Sequence, residues 1–369
     1  MMDIEIGIGK DGRRAYDLAD ISIVPSRRTR DSEEVSIAWE LDAYRFAVPI
    51  LSAAMDSVTS PATAIALGQL GGLGVLNLEG VWTRYDDADA QLAELAEVSQ
   101  ERAVARLREL YATPIREDLI AKRVGEIKEA GVTAAAALTP ARTQRYHRAA
   151  IDAGVDVLVV QSTVVSAQHV SGRTEPLNLR TFIAGLDTPV VVGGCANYQT
   201  ALHLMRTGAA GLLVGVGTGL ACRAGEVLGV GVPLATAVAD AAGARRDYLD
   251  ESGGRYVHVI ADGGMHTGGD IAKAIGCGAD AVMLAAPLAY ATEAPGHGWH
   301  WEAGAAHPTL PRGGRVATPP RASLAEIILG PSQSTDGTTN LAGGLRGAMA
   351  TTGYSTVKEF QKVELAVRS

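Results

Sequence analysis

Gly154-Val155-Asp156-Val157-Leu158-Val159-Val160 is the stretch from which the rest of the chain can be read. A glycine after a helical run can adopt the left-handed conformation that ends a helix. A short apolar run rich in β-branched residues suits a strand covered on both faces. The same pattern recurs at Gly71-Gly72-Leu73-Gly74-Val75-Leu76 and at residues 131–138, 208–214 and 278–284. Residues 48–53, 189–192 and 256–261 are further apolar runs of strand length and bring the count to eight. The segments between them, 198–206 and 270–275 among others, have helical length and composition. Eight strands alternating with helices predict an α/β fold, a single (β/α)8 TIM barrel over residues 1–369. A doubly wound open sheet alternates in the same way, so the strand count leaves closure open.

With 33 Lys+Arg against 41 Asp+Glu the chain carries a net charge of −8, which argues against a general binder of nucleic acid or of membrane surfaces. The first residues lack a basic segment followed by an apolar run, and no uncharged apolar stretch is long enough to span a bilayer; a cytoplasmic location is expected. Three cysteines, Cys195, Cys222 and Cys277, are too few and odd in number for a disulfide framework, so each is either packed or reactive.

Two segments depart from the alternation. Residues 84–129 are rich in Ala, Leu, Glu and Arg and read as two or three exposed helices. Residues 296–340 are rich in Gly, Pro, Ser and Thr, with only 323–329 looking regular, and read as a mobile lid after the eighth strand. Trp299 and Trp301 offer it apolar area for docking.

Barrel enzymes place their chemistry on loops at the C-terminal ends of strands. Cys222 stands on such a loop, Gly215-Val216-Gly217-Thr218-Gly219-Leu220-Ala221-Cys222, where free backbone N–H groups or Arg223 are expected to stabilise a thiolate. Cys195 also lies just past a strand, whereas Cys277 precedes one and falls on the opposite face. The turn Asp262-Gly263-Gly264, with the helix opening at Gly268-Gly269-Asp270, suits a phosphate, and Asp262 at the strand end suits ribose hydroxyls. Flavin mononucleotide barrels use much the same arrangement.

In order and spacing, several segments together are specific. They are Leu51-Ser52-Ala53-Ala54-Met55-Asp56-Ser57-Val58-Thr59, Gly71-Gly72-Leu73-Gly74, the cysteine loop continuing to Gly231-Val232-Pro233, Ala261-Asp262-Gly263-Gly264, Thr292-Glu293-Ala294-Pro295-Gly296 and Gly343-Gly344-Leu345-Arg346. Through them the chain resembles the IMP dehydrogenase/GMP reductase family over nearly its whole length. The resemblance implies that Cys222 attacks C2 of a purine nucleotide (IMP, XMP or GMP) and that hydride passes to or from NAD or NADP. It implies substrate contacts from Ser52, Met55, Gly219, Leu220, Asp262, Gly263, Gly264, Ala285 and Ala286. Cofactor contacts are expected from Gln161, Ser162, Thr163, Gly193 and Gly194. The backbone carbonyls of Gly217, Gly219 and Cys222 are expected to hold K+, in a homotetramer. Residues 84–129 are too short for the CBS modules that many members carry, which indicates the short branch of the family.

The departures bear on function. Leu220 and Ala224 stand where the family has Ser and Thr, Ala285-Ala286 stand for its Gly-Ser phosphate pair, and Gln161 stands for the Asp that helps hold the nicotinamide ribose. The lid has no Arg-Tyr pair to activate water and no clear counterpart of the Glu that pairs with the missing Thr. His300 and His307 are the first candidates for that work, then Arg312, Arg315 and Arg321. The leading reading is oxidation of IMP to XMP with NAD; the rivals are GMP reduction with NADPH and a nucleotide-binding regulatory protein with little turnover.

Overall fold

The computed structural model describes residues 3–172 and 175–368. Eight strands form a closed parallel barrel in chain order: β1 Ile50–Ser52, β2 Leu73–Asn77, β3 Ala135–Leu138, β4 Val157–Gln161, β5 Val190–Cys195, β6 Gly211–Val214, β7 His258–Asp262 and β8 Ala281–Leu284. Strand β8 pairs with β1 through Val282 with Ile50, Met283 with Leu51 and Leu284 with Ser52, so the open sheet is discarded. The glycines of the recurring pattern, Gly71, Gly131, Gly154, Gly208 and Gly278, all have positive φ, as a chain leaving a helix for the next strand requires.

Strand β5 runs further than expected, and Cys195 lies inside it, buried, instead of beyond it. The reason is Gly193, where a Cβ would sit 2.4 Å from the Leu213 carbonyl oxygen; its absence lets β5 and β6 approach and continue pairing.

Residues 84–129 form three helices, Ala88–Glu97, Gln100–Ala112 and Glu117–Glu129. They are not merely exposed. The third packs on helices Pro61–Gln69 and Pro140–Asp152 as a regular member of the outer ring, and the second packs against a turn at Ala303–Ala306. Leu92, Leu95, Leu107 and Leu110 are buried in these contacts. The segment after β8 is anchored accordingly. Trp299–His300 pairs antiparallel with Val316–Ala317, and Arg315 donates to the carbonyls of Leu95 and Val98, each at 2.5 Å, capping the end of the first insert helix. Arg315 also lies 3.7 Å over the Trp299 ring. The expected lid therefore has a fixed base. No helix among the described residues is long and apolar enough to cross a membrane.

The opposite, N-terminal face is held by a buried carboxylate. Asp280 accepts from Arg245 Nη1 at 2.6 Å, Tyr256 Oη at 2.7 Å, the Val259 N–H at 2.8 Å and Lys358 Nζ at 2.9 Å. Burial alone raises a carboxyl, but the charges of Arg245 and Lys358 outweigh it and hold Asp280 below its ordinary range. Asp280→Asn leaves Arg245 buried without a counter-charge and should cost about 3–5 kcal/mol in urea unfolding at neutral pH. Because the folded value is depressed, this stabilisation is present above the ordinary carboxylate range and is lost as pH falls through the folded value. The gap between wild type and variant should therefore close below about pH 4.

Candidate active site

The loops at the C-terminal ends of the strands surround a cavity of about 600 Å³. Cys222, Asp262, Gly263 and Ala285 line one side, Gln161, Ser162 and Thr163 the middle, and Glu79, Arg84 and Arg142 the far side, with Glu302, His307 and Arg312 reaching over from the segment after β8. That volume falls in the range of small-molecule sites.

Cys222 is fixed from two directions. Its N–H donates to the Gly219 carbonyl at 3.0 Å, closing the end of the glycine loop. It also bridges to Gly313, while the Arg223 N–H donates to the Arg312 carbonyl at 2.6 Å, so the segment after β8 lies directly on the cysteine loop. Gly313 permits this: a Cβ there would meet the Ala221 carbonyl oxygen at 2.5 Å. Burial pushes the Cys222 thiol up to about 11, and the charge of Glu302 adds to it, against the Ala224 N–H and Arg312. The expected thiolate stabilisation by Arg223 does not occur, because that guanidinium pairs with Glu226 at 2.8 Å. At rest the site holds a thiol near enough to Glu302 for the two groups to act on one another's titration.

Glu302 is the residue that sequence reasoning missed. Burial raises its carboxyl, while the Cys222 hydrogen bond and Arg312 oppose the rise. The one signal available was an acidic residue directly after the aromatic pair Trp299 and Trp301, in a segment able to fold back over the cysteine loop.

Asp262, at the end of β7, accepts from Gln161 Nε2 at 3.1 Å, and its backbone carbonyl accepts from Thr218 Oγ1 at 2.7 Å. Burial pushes its carboxyl up to about 7, with the Gln161 hydrogen bond opposing the rise. The exchange of Asp for Gln at position 161 thus has a local physical sense: an amide donates to Asp262 where a second carboxylate would repel it.

A second buried group organises the roof. Asp56 accepts from Tyr111 Oη at 2.5 Å and from the Val81 N–H at 3.0 Å, and Trp301 Nε1 donates to Tyr111 Oη at 3.1 Å. Burial pushes Asp56 up to about 6, with Tyr111 and the Val81 N–H opposing the rise. Its neighbour Ser57 lies 2.9 Å from His300 Nδ1. The Met55-Asp56-Ser57 stretch therefore ties the helical insert and the segment after β8 to the barrel mouth.

Several sequence expectations are corrected by these positions. Ser52 is buried and accepts from Thr59 Oγ1 at 2.8 Å, away from the cavity lining. Leu220, Gly264 and Ala286 do not line the cavity either, whereas Met55, Gly219, Asp262, Gly263 and Ala285 do. Gly193 and Gly194 pack against β6 and the Gly215 carbonyl, leaving Gln161, Ser162 and Thr163 as the expected cofactor contacts that face the cavity. Of the carbonyls of Gly217, Gly219 and Cys222 expected to hold K+, that of Gly219 accepts the Cys222 N–H. His300 is buried, and burial lowers it to about 4, which suits a structural hydrogen bond and not a base. Arg315 caps a helix and Arg321 lies 3.9 Å over Tyr290, so His307, Arg312 and the unforeseen Glu302 are the polar groups of this segment that reach the cavity.

Residues 15–307 match the family model for the IMP dehydrogenase / GMP reductase domain. The chain is 55% identical to an uncharacterized oxidoreductase of Mycobacterium leprae, over 99% of each chain, and 53% identical to one of Mycolicibacterium smegmatis, over 99% of this chain and all of that one. It is 27% identical to an inosine-5'-monophosphate dehydrogenase of Methanocaldococcus jannaschii, covering 78% of this chain and 74% of the relative. The crystal structure of an IMP dehydrogenase/GMP reductase-like protein from Corynebacterium glutamicum superposes with a TM-score of 0.94 at 46% identity, over 99% of this chain and 98% of that one.

The electrostatics of Cys222 are directly measurable. Alkylation by iodoacetamide should be slow at neutral pH and climb steeply toward a midpoint near 11. Glu302→Gln removes a negative charge beside the sulfur and should lower that midpoint, quickening alkylation at pH 8 by up to about tenfold for each pKa unit regained. Slower alkylation in the variant would mean that Glu302 promotes the resting thiolate instead.

Proposed function

The chain belongs to the IMP dehydrogenase/GMP reductase family of oxidoreductases, and we propose that it oxidises IMP to XMP with NAD through a covalent bond between Cys222 Sγ and C2 of the purine. One observation carries the reading: Cys222, Glu302 and Asp262 line one cavity, with Glu302 near enough for its charge to act on the thiol. Asp262 accepts the ribose hydroxyls and fixes the nucleotide so that C2 faces the sulfur. As Sγ bonds to C2, its proton passes to Glu302, which supplies the proton acceptor that a thiol pushed up to about 11 needs. NAD, when bound, accepts the hydride that leaves C2. Its site is supported by the Ser162 and Thr163 hydroxyls beside Gln161, on the stretch of cavity that continues past the nucleotide. Water then adds at C2 and the S–C bond breaks. Glu302, its first proton released to solvent before water adds, takes the proton of that water and passes it to the departing sulfur, restoring the thiol, in a segment that lies on the cysteine loop. The homotetramer that the family resemblance implies is part of the same proposal.

Absorbance at the nicotinamide band should rise with IMP plus NAD and not fall with GMP plus NADPH; the reverse pattern would replace the proposal by the reductive direction. Cys222→Ala should abolish the signal, and Glu302→Gln should lower kcat by about 10²–10⁴-fold.

Nucleotide affinity should also depend on pH through Asp262. The ribose binds the carboxylate form, and the free carboxyl titrates near 7, so affinity should rise from pH 6 to pH 8 and then level off. Asp262→Asn should flatten that profile and weaken binding by about 1.5–3 kcal/mol in calorimetry.

A further inference from the structure

We propose that Arg84 and Arg142 form a phosphate-binding subsite at the far end of the catalytic cavity. Its occupant, on the reading given under Proposed function, is a phosphate of the dinucleotide, either the bridging pyrophosphate or an additional 2′-phosphate. Both arginines line the cavity that also holds Cys222 and Asp262. Arg84 is held rigidly: its Nε and Nη2 donate to the Glu79 carbonyl at 3.0 and 2.9 Å, its Nη1 donates to the Thr113 carbonyl, and it lies 5.8 Å over the Tyr111 ring. The Arg142 side chain makes no ion pair or hydrogen bond among the described residues, although it is near enough for its charge to act on Arg84.

The charges of Asp56 and Glu79 act on Arg84 and partly offset it, whereas no carboxylate pairs with Arg142 among the described residues. Glu79 Oε1 is turned to the Thr139 N–H at 2.5 Å, and Asp56 is buried behind Tyr111 with its proton affinity raised by burial. Thr139, in the same wall, makes no side-chain cap to its own helix and leaves its hydroxyl available. Two guanidinium groups lining one cavity wall, close enough for one charge to act on the other, favour an anion between them. Phosphate offers the oxygens that the guanidinium fork binds in pairs. The opposite end of the cavity is spoken for by the ribose carboxylate and the thiol, so a ligand that fills both ends is longer than one nucleotide.

Calorimetric titration of the full chain with NAD, NADP and inorganic pyrophosphate tests this without requiring turnover. Arg142 has no structural partner, so Arg142→Gln should fold normally, and IMP affinity should be unchanged. The variant should lose about 10- to 100-fold in dinucleotide affinity, the range for hydrogen bonds to a charged group. Arg142→Lys should restore part of it. A larger loss for NADP than for NAD assigns the 2′-phosphate, and an equal loss assigns the bridging pyrophosphate. Pyrophosphate binding that depends on Arg142, with no dinucleotide binding in the wild type, upholds the subsite and overturns the nicotinamide reading instead. Equal affinity of wild type and Arg142→Gln for all three probes overturns the subsite.

Discussion

Three parallel pairings, Ile50 with Val282, Leu51 with Met283 and Ser52 with Leu284, close the sheet, and the catalytic face depends on that ring. In a closed barrel the ends of β4, β6 and β7 lie around a single mouth. Gln161 at the end of β4 can therefore reach Asp262 at the end of β7, and the loop after β6 can set Cys222 beside both. In an open sheet these residues would be strung along an edge, and the thiol, the ribose carboxylate and the arginines would not share a cavity.

Around that mouth, burial acts in one direction on four acidic groups. It moves Asp56 to about 6, Asp262 to about 7 and Cys222 to about 11, and it raises Glu302. A sparsely hydrated site favours neutral forms unless fixed partners are supplied. Those supplied to the thiol are a weak backbone donor, Ala224 N–H at 3.5 Å, and Arg312, which also donates to Thr163 Oγ1 at 2.6 Å. The resting state is therefore a protonated sulfur with a carboxylate waiting beside it. On the proposed reaction, reactivity then arises when a ligand excludes water and presents C2.

The departures from the family's polar ligands have a compensating side. Ala224 removes a hydroxyl near Cys222, and Glu302 lines the same cavity near enough for its charge to act on the sulfur. Gln161 in place of a carboxylate gives Asp262 a hydrogen-bond donor. The helical insert, which in sequence looked like surface decoration, supplies Tyr111 to Asp56 and Trp301 and receives Arg315 at the end of its first helix, so it fixes the base of the segment that carries Glu302. Leu220, Ala285 and Ala286 bring no polar side chain to the positions where the family has them.

The barrel was legible in the chain because its signals are local. The recurring glycine, with positive φ ahead of five of the eight strands, and a short apolar run of strand length at all eight need only neighbours in sequence to be understood. Cys222 and Asp262 were legible for the same reason: each stands just past a strand, and strand ends face the cavity in this fold. Glu302, Tyr111 and Arg142 were not, because what gives them a role is proximity across 80, 55 and 58 positions of chain, to Cys222, Asp56 and Arg84 respectively. The same holds for the errors. His300 looks like a base until Ser57 and the packing around it exclude water, and Arg223 looks like a thiolate partner until Glu226 takes it. Sequence determined which backbone shapes were possible and where strands end. Tertiary structure alone decided which side chains are dry and which charges meet, because desolvation and Coulomb interaction depend on distance in space and not on separation along the chain.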